Sequence, residues 1–137
     1  MTPNLDALQD YLREVADRPF AWGAHDCLTF TNEAWHRMHG HGFADDWLGR
    51  YLGRSGRPLS RRTLAQVYGH PTLQRALDAR LMRWEAVPPR GALVVARANR
   101  NRSFDYAMGI ANGEKAAFLL AAGVVYLDID HVAGSWV

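Results

Sequence analysis

The sequence predicts an α+β domain in which N-terminal helices pack on a C-terminal antiparallel sheet. Two observations predict it. Up to Leu81 the apolar residues recur at helical spacing, whereas from Ala92 onward they gather into short β-rich runs divided by turn residues. The scale is that of one core: 137 residues, 48% hydrophobic and 22% charged, make a globular balance and a single domain spanning residues 1–137.

Leu5, Leu8, Leu12 and Val15 lie on one helical face, with Pro3 suited to a first turn, so a helix is expected over about residues 4 to 17 and Pro19 stops it. Cys27, Phe30, Thr31, Ala34 and Met38 repeat the pattern, so Cys27 begins the buried face of a second helix ended by Gly40 and Gly42. Phe43 to Pro58 has no clean period and reads as an ordered loop with at most short turns. Ser60 can cap a helix through about Tyr68, with Leu64 and Val67 inward. Pro71-Thr72 can open another, with Leu73, Leu77 and Leu81 inward. Beyond Pro88-Pro89 come the runs Ala92–Ala96, Tyr106–Ala111, Ala116–Leu120 and Val124–Leu127, with Asn112-Gly113 and Ala122-Gly123 as hairpin turns and His131–Val137 as a last strand.

Composition excludes several function classes. No run approaches the roughly 18 apolar residues of a membrane span, and the first residues lack a signal-peptide layout, so a chain made and folded in the cytoplasm is expected. Net charge is only +2, and Tyr51 is the one aromatic set among the arginines of Arg50–Arg62, too few for a stacking platform, which argues against nucleic acid. Cys27 is the only cysteine, so no internal disulfide or multi-cysteine zinc site is available.

The chemistry therefore centres on Cys27. A thiol attacks only as thiolate, and a helix N-terminus lowers its pKa through unpaired N–H groups and the macrodipole. Asp26 is placed to cap that helix, and Trp22-Gly23 supplies a bulky wall with a backbone that can approach a ligand closely. A small residue beginning a buried helical face is the alternative reading of Cys27.

The stretch Phe20-Ala21-Trp22-Gly23-Ala24-His25-Asp26-Cys27-Leu28-Thr29-Phe30 resembles the NlpC/P60 signature of papain-like cysteine peptidases, in which an aromatic-Gly turn leads to Asp-Cys at the head of the central helix. Arg90–Val95 is similar to that family's Gly-Asp-Leu-Val-Phe-Phe strand, and Ala107–Gly113 to its His-Val-Gly-Ile strand. The resemblance implies an NlpC/P60 fold with Cys27 as nucleophile. It departs from the pattern at the base, because Ala107 stands where the family has histidine, and Phe118–Leu120 is apolar where the orienting residue should lie.

Among the other histidines, His36 lies nine residues down the same helix, about 13 Å from Cys27 and out of reach. His25 can line the same cleft. His70 and His131 stay open as bases, and Asp105 shares a strand face with Ala107 and is a candidate for the cleft. The spacing of His25, His36, His39 and His41 matches no metal-ligand pattern, and neither a metal nor a cofactor is expected.

Trp-Gly-x-His-Asp-Cys near the start, Ala-Met-Gly-Ile late and Trp136 at the end resemble a phage and prophage family encoded among tail genes. That resemblance implies a tail-tip or tail-assembly protein in the virion tail, with other phage tail proteins and peptidoglycan as partners and a degenerate or unusual peptidase site. Two alternatives remain open: an active peptidoglycan endopeptidase with Cys27 as nucleophile, and a cytoplasmic thiol hydrolase or amidase unrelated to phage.

Overall fold

The structure, a computed structural model, describes residues 2–97 and 106–137. Among these, four α-helices precede five strands: α1 Leu5–Glu14, α2 Cys27–His39, α3 Arg61–Tyr68 and α4 Leu73–Asp78, then β1 Leu93–Arg97, β2 Tyr106–Asn112, β3 Lys115–Leu120, β4 Gly123–Asp128 and β5 Val132–Trp136. The α+β class is the one the sequence predicts.

Each helix begins at a side-chain cap. Asn4, Asp26, Ser60 and Thr72 accept from the amides of Ala7, Thr29, Thr63 and Arg75, relieving donors that a helix start leaves unpaired. Helices α2 and α3 end at left-handed glycines, Gly40 and Gly69, where the sequence ends them, but the ends of α1 and α4 depend on tertiary bonds that the apolar period does not report. Helix α1 stops at Glu14, sooner than expected, because the chain turns to the sheet: the Val124 amide donates to Ala16 O at 3.1 Å and the Phe20 amide to Ala121 O at 3.2 Å. Helix α4 stops at Asp78, which leaves Leu81 outside it. Arg80 instead reaches Asp46 at 2.6 Å, and Met82 to Trp84 run alongside β5, with the Met82 amide donating to Val137 O at 3.0 Å.

The strands order β4-β3-β2-β1-β5, every neighbouring pair antiparallel. Alternation divides their side chains between two cores. Leu93, Val95, Met108, Ile110, Ala117 and Leu119 meet α1 and α2, and the loop after α2 adds Phe43, Trp47 and Tyr51 to the same core. Val94, Ala96, Ala111, Ala116 and Phe118 form the second core on the opposite face.

That sheet cannot be flat. Strands β4 and β5 lie on opposite edges, yet only Ile129–His131 separates them. Four residue steps from Asp128 to Val132 span at most about 14 Å, while four strand spacings in a flat sheet amount to about 19 Å. The edges therefore curl toward the face on which Ile129 packs, the second core. Small residues at Ala96, Ala107, Gly109, Ala111 and Ala116 make room for the curl. At Gly109 a Cβ would lie 2.5 Å from the Ala117 carbonyl oxygen and 2.7 Å from the Phe118 ring.

Candidate functional site

The turn before α2 is built around one carboxylate. Asp26 is fully buried, and its oxygens accept from the Gly23 amide at 2.8 Å, the Thr29 amide at 2.9 Å and the Tyr51 hydroxyl. Thr29 returns the bond, its hydroxyl oxygen accepting from the Asp26 amide at 2.7 Å and completing a capping box. Gly23 takes φ +80°, and a Cβ there would meet Leu52 at 2.8 Å, so glycine serves both the turn and the close approach. Trp22 is half-buried against the main core and edge-on to Phe20, with ring centroids 4.7 Å apart.

This frame sets Cys27 at the first position of α2, half-buried and facing β2. Amide donors of Met108, Cys27 and Leu28 surround the sulfur and favour its thiolate. They are outweighed. Burial, reinforced by the Asp26 charge, pushes the thiol from its ordinary 9.0 up to about 11. The sequence-based expectation of a lowered pKa is thus corrected: the negative charge that caps the helix stands beside the sulfur and offsets the positive end of the helix.

Two tyrosines that sequence reasoning missed join the thiol. Burial raises the pKa of both Tyr51 and Tyr68, Tyr51 through its bond to Asp26 as well, and the Cys27 charge adds to each. Tyr51 comes from a loop without periodicity and carried no signal. Tyr68 did carry one, standing four residues after the inward Leu64 on α3.

No histidine is among the groups that most strongly shift the thiol. His25 is 4% exposed and turned toward α1, edge-on to Phe30 with centroids 6.2 Å apart; its Nε2 has no hydrogen-bond partner. Burial first, then the Arg18 charge, lowers its pKa. His70 is half-buried just past Gly69, the cap of α3, and the α3 side chain that registers the thiol is Tyr68. His131 is exposed in the link between β4 and β5, flanked by Ile129 and Val132, which pack on the face away from α2. His36 bonds Asp45 at 2.7 Å. Ala107, the residue that the resemblance sets in the place of the base, packs on the second core, while its neighbours Tyr106 and Met108 face the main one. Asp105 lies outside the described residues. Among those described, no group of three or more histidine, cysteine or acidic side chains could hold a metal ion.

Residues 3–137 match the family described as "Domain of unknown function (DUF6950)". The chain belongs to that family. The match includes Asp26, Cys27, Tyr51 and Tyr68, so the whole cysteine-tyrosine cluster falls inside the DUF6950 domain. No curated protein matches the chain. No helix among the described residues is long and apolar enough to cross a membrane.

Proposed function

We propose that this protein is a phage tail-tip or tail-assembly component built on an NlpC/P60-like, papain-like scaffold whose peptidase chemistry is degenerate. The observation that carries the reading is the state of Cys27, a thiol at the head of a capped helix, held protonated by burial and accompanied by tyrosines. The order of parts supports the scaffold, since a cysteine-headed helix precedes antiparallel strands and the second of them brings its Met108 amide to the sulfur. The tail context rests on the sequence resemblance.

Amide hydrolysis asks two things of such a site: a thiolate to attack and a positioned acid to protonate the departing amine. With the thiol near 11, the thiolate fraction at pH 7 is on the order of 10⁻⁴. Without an imidazole, about 10² to 10⁴-fold of acid–base catalysis is missing as well.

Muropeptide digests followed by mass spectrometry test the reading. Neither the wild type nor Cys27→Ser is expected to yield new stem-peptide products. Cleavage that vanishes in Cys27→Ser would make the protein a peptidoglycan endopeptidase, and turnover confined to simple amides or thioesters would make it a thiol hydrolase or amidase. Mass spectrometry of virions and tail intermediates from a phage encoding a family member tests the location. Absence from both would refute a tail role.

A further inference from the structure

His25 is the only histidine among the described residues that is buried, and it sits two positions before Cys27. Its Nε2 has no hydrogen-bond partner, whereas buried polar atoms in folded proteins are nearly always paired. As a neutral imidazole the ring is tolerated there, edge-on to Phe30. As an imidazolium it is not, because an unpaired charge sealed from water is among the costliest groups a fold can hold.

The charges around the ring offer no relief. Tyr11, Glu14 and Arg18 face it from α1 and the turn after it, and Asp26, Glu33, His36 and Arg37 from the head and flank of α2; the loop after α2 adds the uncharged Leu48. Glu14 and Glu33 are each paired with Arg37 at 3.0 Å, and His36 is bonded to Asp45. Tyr11 donates to Phe30 O, and Asp26 already accepts from two amides and the Tyr51 hydroxyl. Arg18 is itself a cation. Burial first and the Arg18 charge second therefore keep His25 neutral near pH 7, against the weaker pull of Asp26.

The backbone connects that ring to the thiol. The His25 amide donates to Ala21 O at 2.7 Å and the Ala21 amide to His25 O at 2.8 Å, closing the turn that holds Trp22 and Gly23. The next residue is Asp26, whose carboxylate fastens the amides of Gly23 and Thr29, and the one after it is Cys27. A ring that leaves its packing for water takes the backbone of this turn with it.

We propose that His25 is an acid switch for the Cys27 site: protonation drives its ring into solvent, opens the Ala21–His25 turn and uncovers the thiol. The inference goes beyond the reading of Cys27 as a silent nucleophile, because the switch acts on the turn whatever the thiol does. Proton linkage gives the direction. The open form takes up its proton at the ordinary 6.5 and the closed form only at lower pH. The closed form is therefore fully favoured above 6.5 and loses ground as pH falls below it, by up to about tenfold per pH unit until the folded pKa is passed.

Thiol accessibility and histidine side-chain NMR on the full chain test it. The rate at which a dipyridyl disulfide, a reagent that reports thiols in acid as well as near neutrality, modifies Cys27 is normalised to glutathione at the same pH. In the wild type that ratio is expected to rise about tenfold from about pH 7 to about pH 5. In His25→Phe, which fills the site without a titratable ring, it is expected to stay flat. His39→Gln, at the far end of α2, is expected to keep the rise. Where His25→Phe does not fold, the wild-type His25 pKa decides together with Arg18→Gln: the pKa is expected below 6.5, and removing the Arg18 charge is expected to raise it. Accessibility that stays flat in acid, a rise that persists in His25→Phe or vanishes in His39→Gln, or a His25 pKa that lies at or above 6.5 or is unmoved by Arg18→Gln would each overturn the proposal.

Discussion

At Asp26 the amides of Gly23 and Thr29 and the hydroxyl of Tyr51 converge on one buried carboxylate, so each donor is held to a charge that water cannot reach. Hydrogen bonds to charged groups contribute about 1.5 to 3 kcal/mol each. Tyr51→Phe, which keeps the ring and removes the donor, is expected to lose about that much in urea denaturation, while Tyr126→Phe at an exposed site should stay within about 0.5 kcal/mol. The thiol has its own pH signature. Its folded pKa lies above the ordinary value, so the folded state retains a proton that the unfolded state gives up. The resulting stability is present below pH 9 and is lost as pH rises from 9.0 to about 11, with a slope of about 1.4 kcal/mol per pH unit. Iodoacetamide should accordingly label Cys27 slowly at neutral pH and faster through that window, and a Cys27→Ser chain should show the shallower alkaline decline. Rapid labelling at pH 7 would contradict a buried, protonated thiol. Asp26 as cap and Cys27 as first helical residue were legible in sequence because both follow from local spacing. Tyr51 was not, because its partner stands 25 residues away.

Element by element, the starts were legible, as were the ends of α2 at Gly40 and of α3 at Tyr68, but the ends of α1 and α4 were not. Ser60 and Thr72 cap α3 and α4 as read, since a cap is a bond across three residues, whereas α1 and α4 end where distant strands or Asp46 claim the chain. The hairpin joining β2 to β3 likewise shifts by one. Asn112 pairs with Lys115, leaving Gly113-Glu114 as the turn, with Gly113 at φ +84°. The face of Ala107 also escaped the resemblance, which fixes order along the chain but not strand parity. Packing within elements sets two further expectations. Gly109→Ala puts a methyl against the backbone of β3, which cannot yield as a side-chain tip would, and should cost about 1 to 3 kcal/mol, measured as a fall in melting temperature. Trp22→Ala should lower that temperature more than Cys27→Ser does, because it strips a half-buried ring from the main core while serine nearly preserves volume at a helix end. Equal temperatures would show that the Trp22 ring adds nothing to the core.

For the molecule as a whole, helices first and an antiparallel sheet second was plain from the change of period near Pro88-Pro89, but the curl of that sheet was not, because curvature is a relation between edges. It comes from the link Ile129–His131, which is too short for the distance it would have to cover on a flat surface. Mechanically, the link is a tether in tension, and the closed shape of the second core depends on its length. Adding Gly-Ser-Gly-Ser after Asp130 gives about 14 Å of slack, more than the shortfall between tether and flat sheet once the offset in register between Asp128 and Val132 is counted with the strand spacings. Ile129 should then lift from the concave face, and a hydrophobic dye should find the alanines and Phe118 beneath it. The same four residues added at the exposed Arg54-Ser55-Gly56 turn should change neither dye binding nor melting. A residue count in one connection, with every side chain unchanged, would then decide whether this sheet is open or closed.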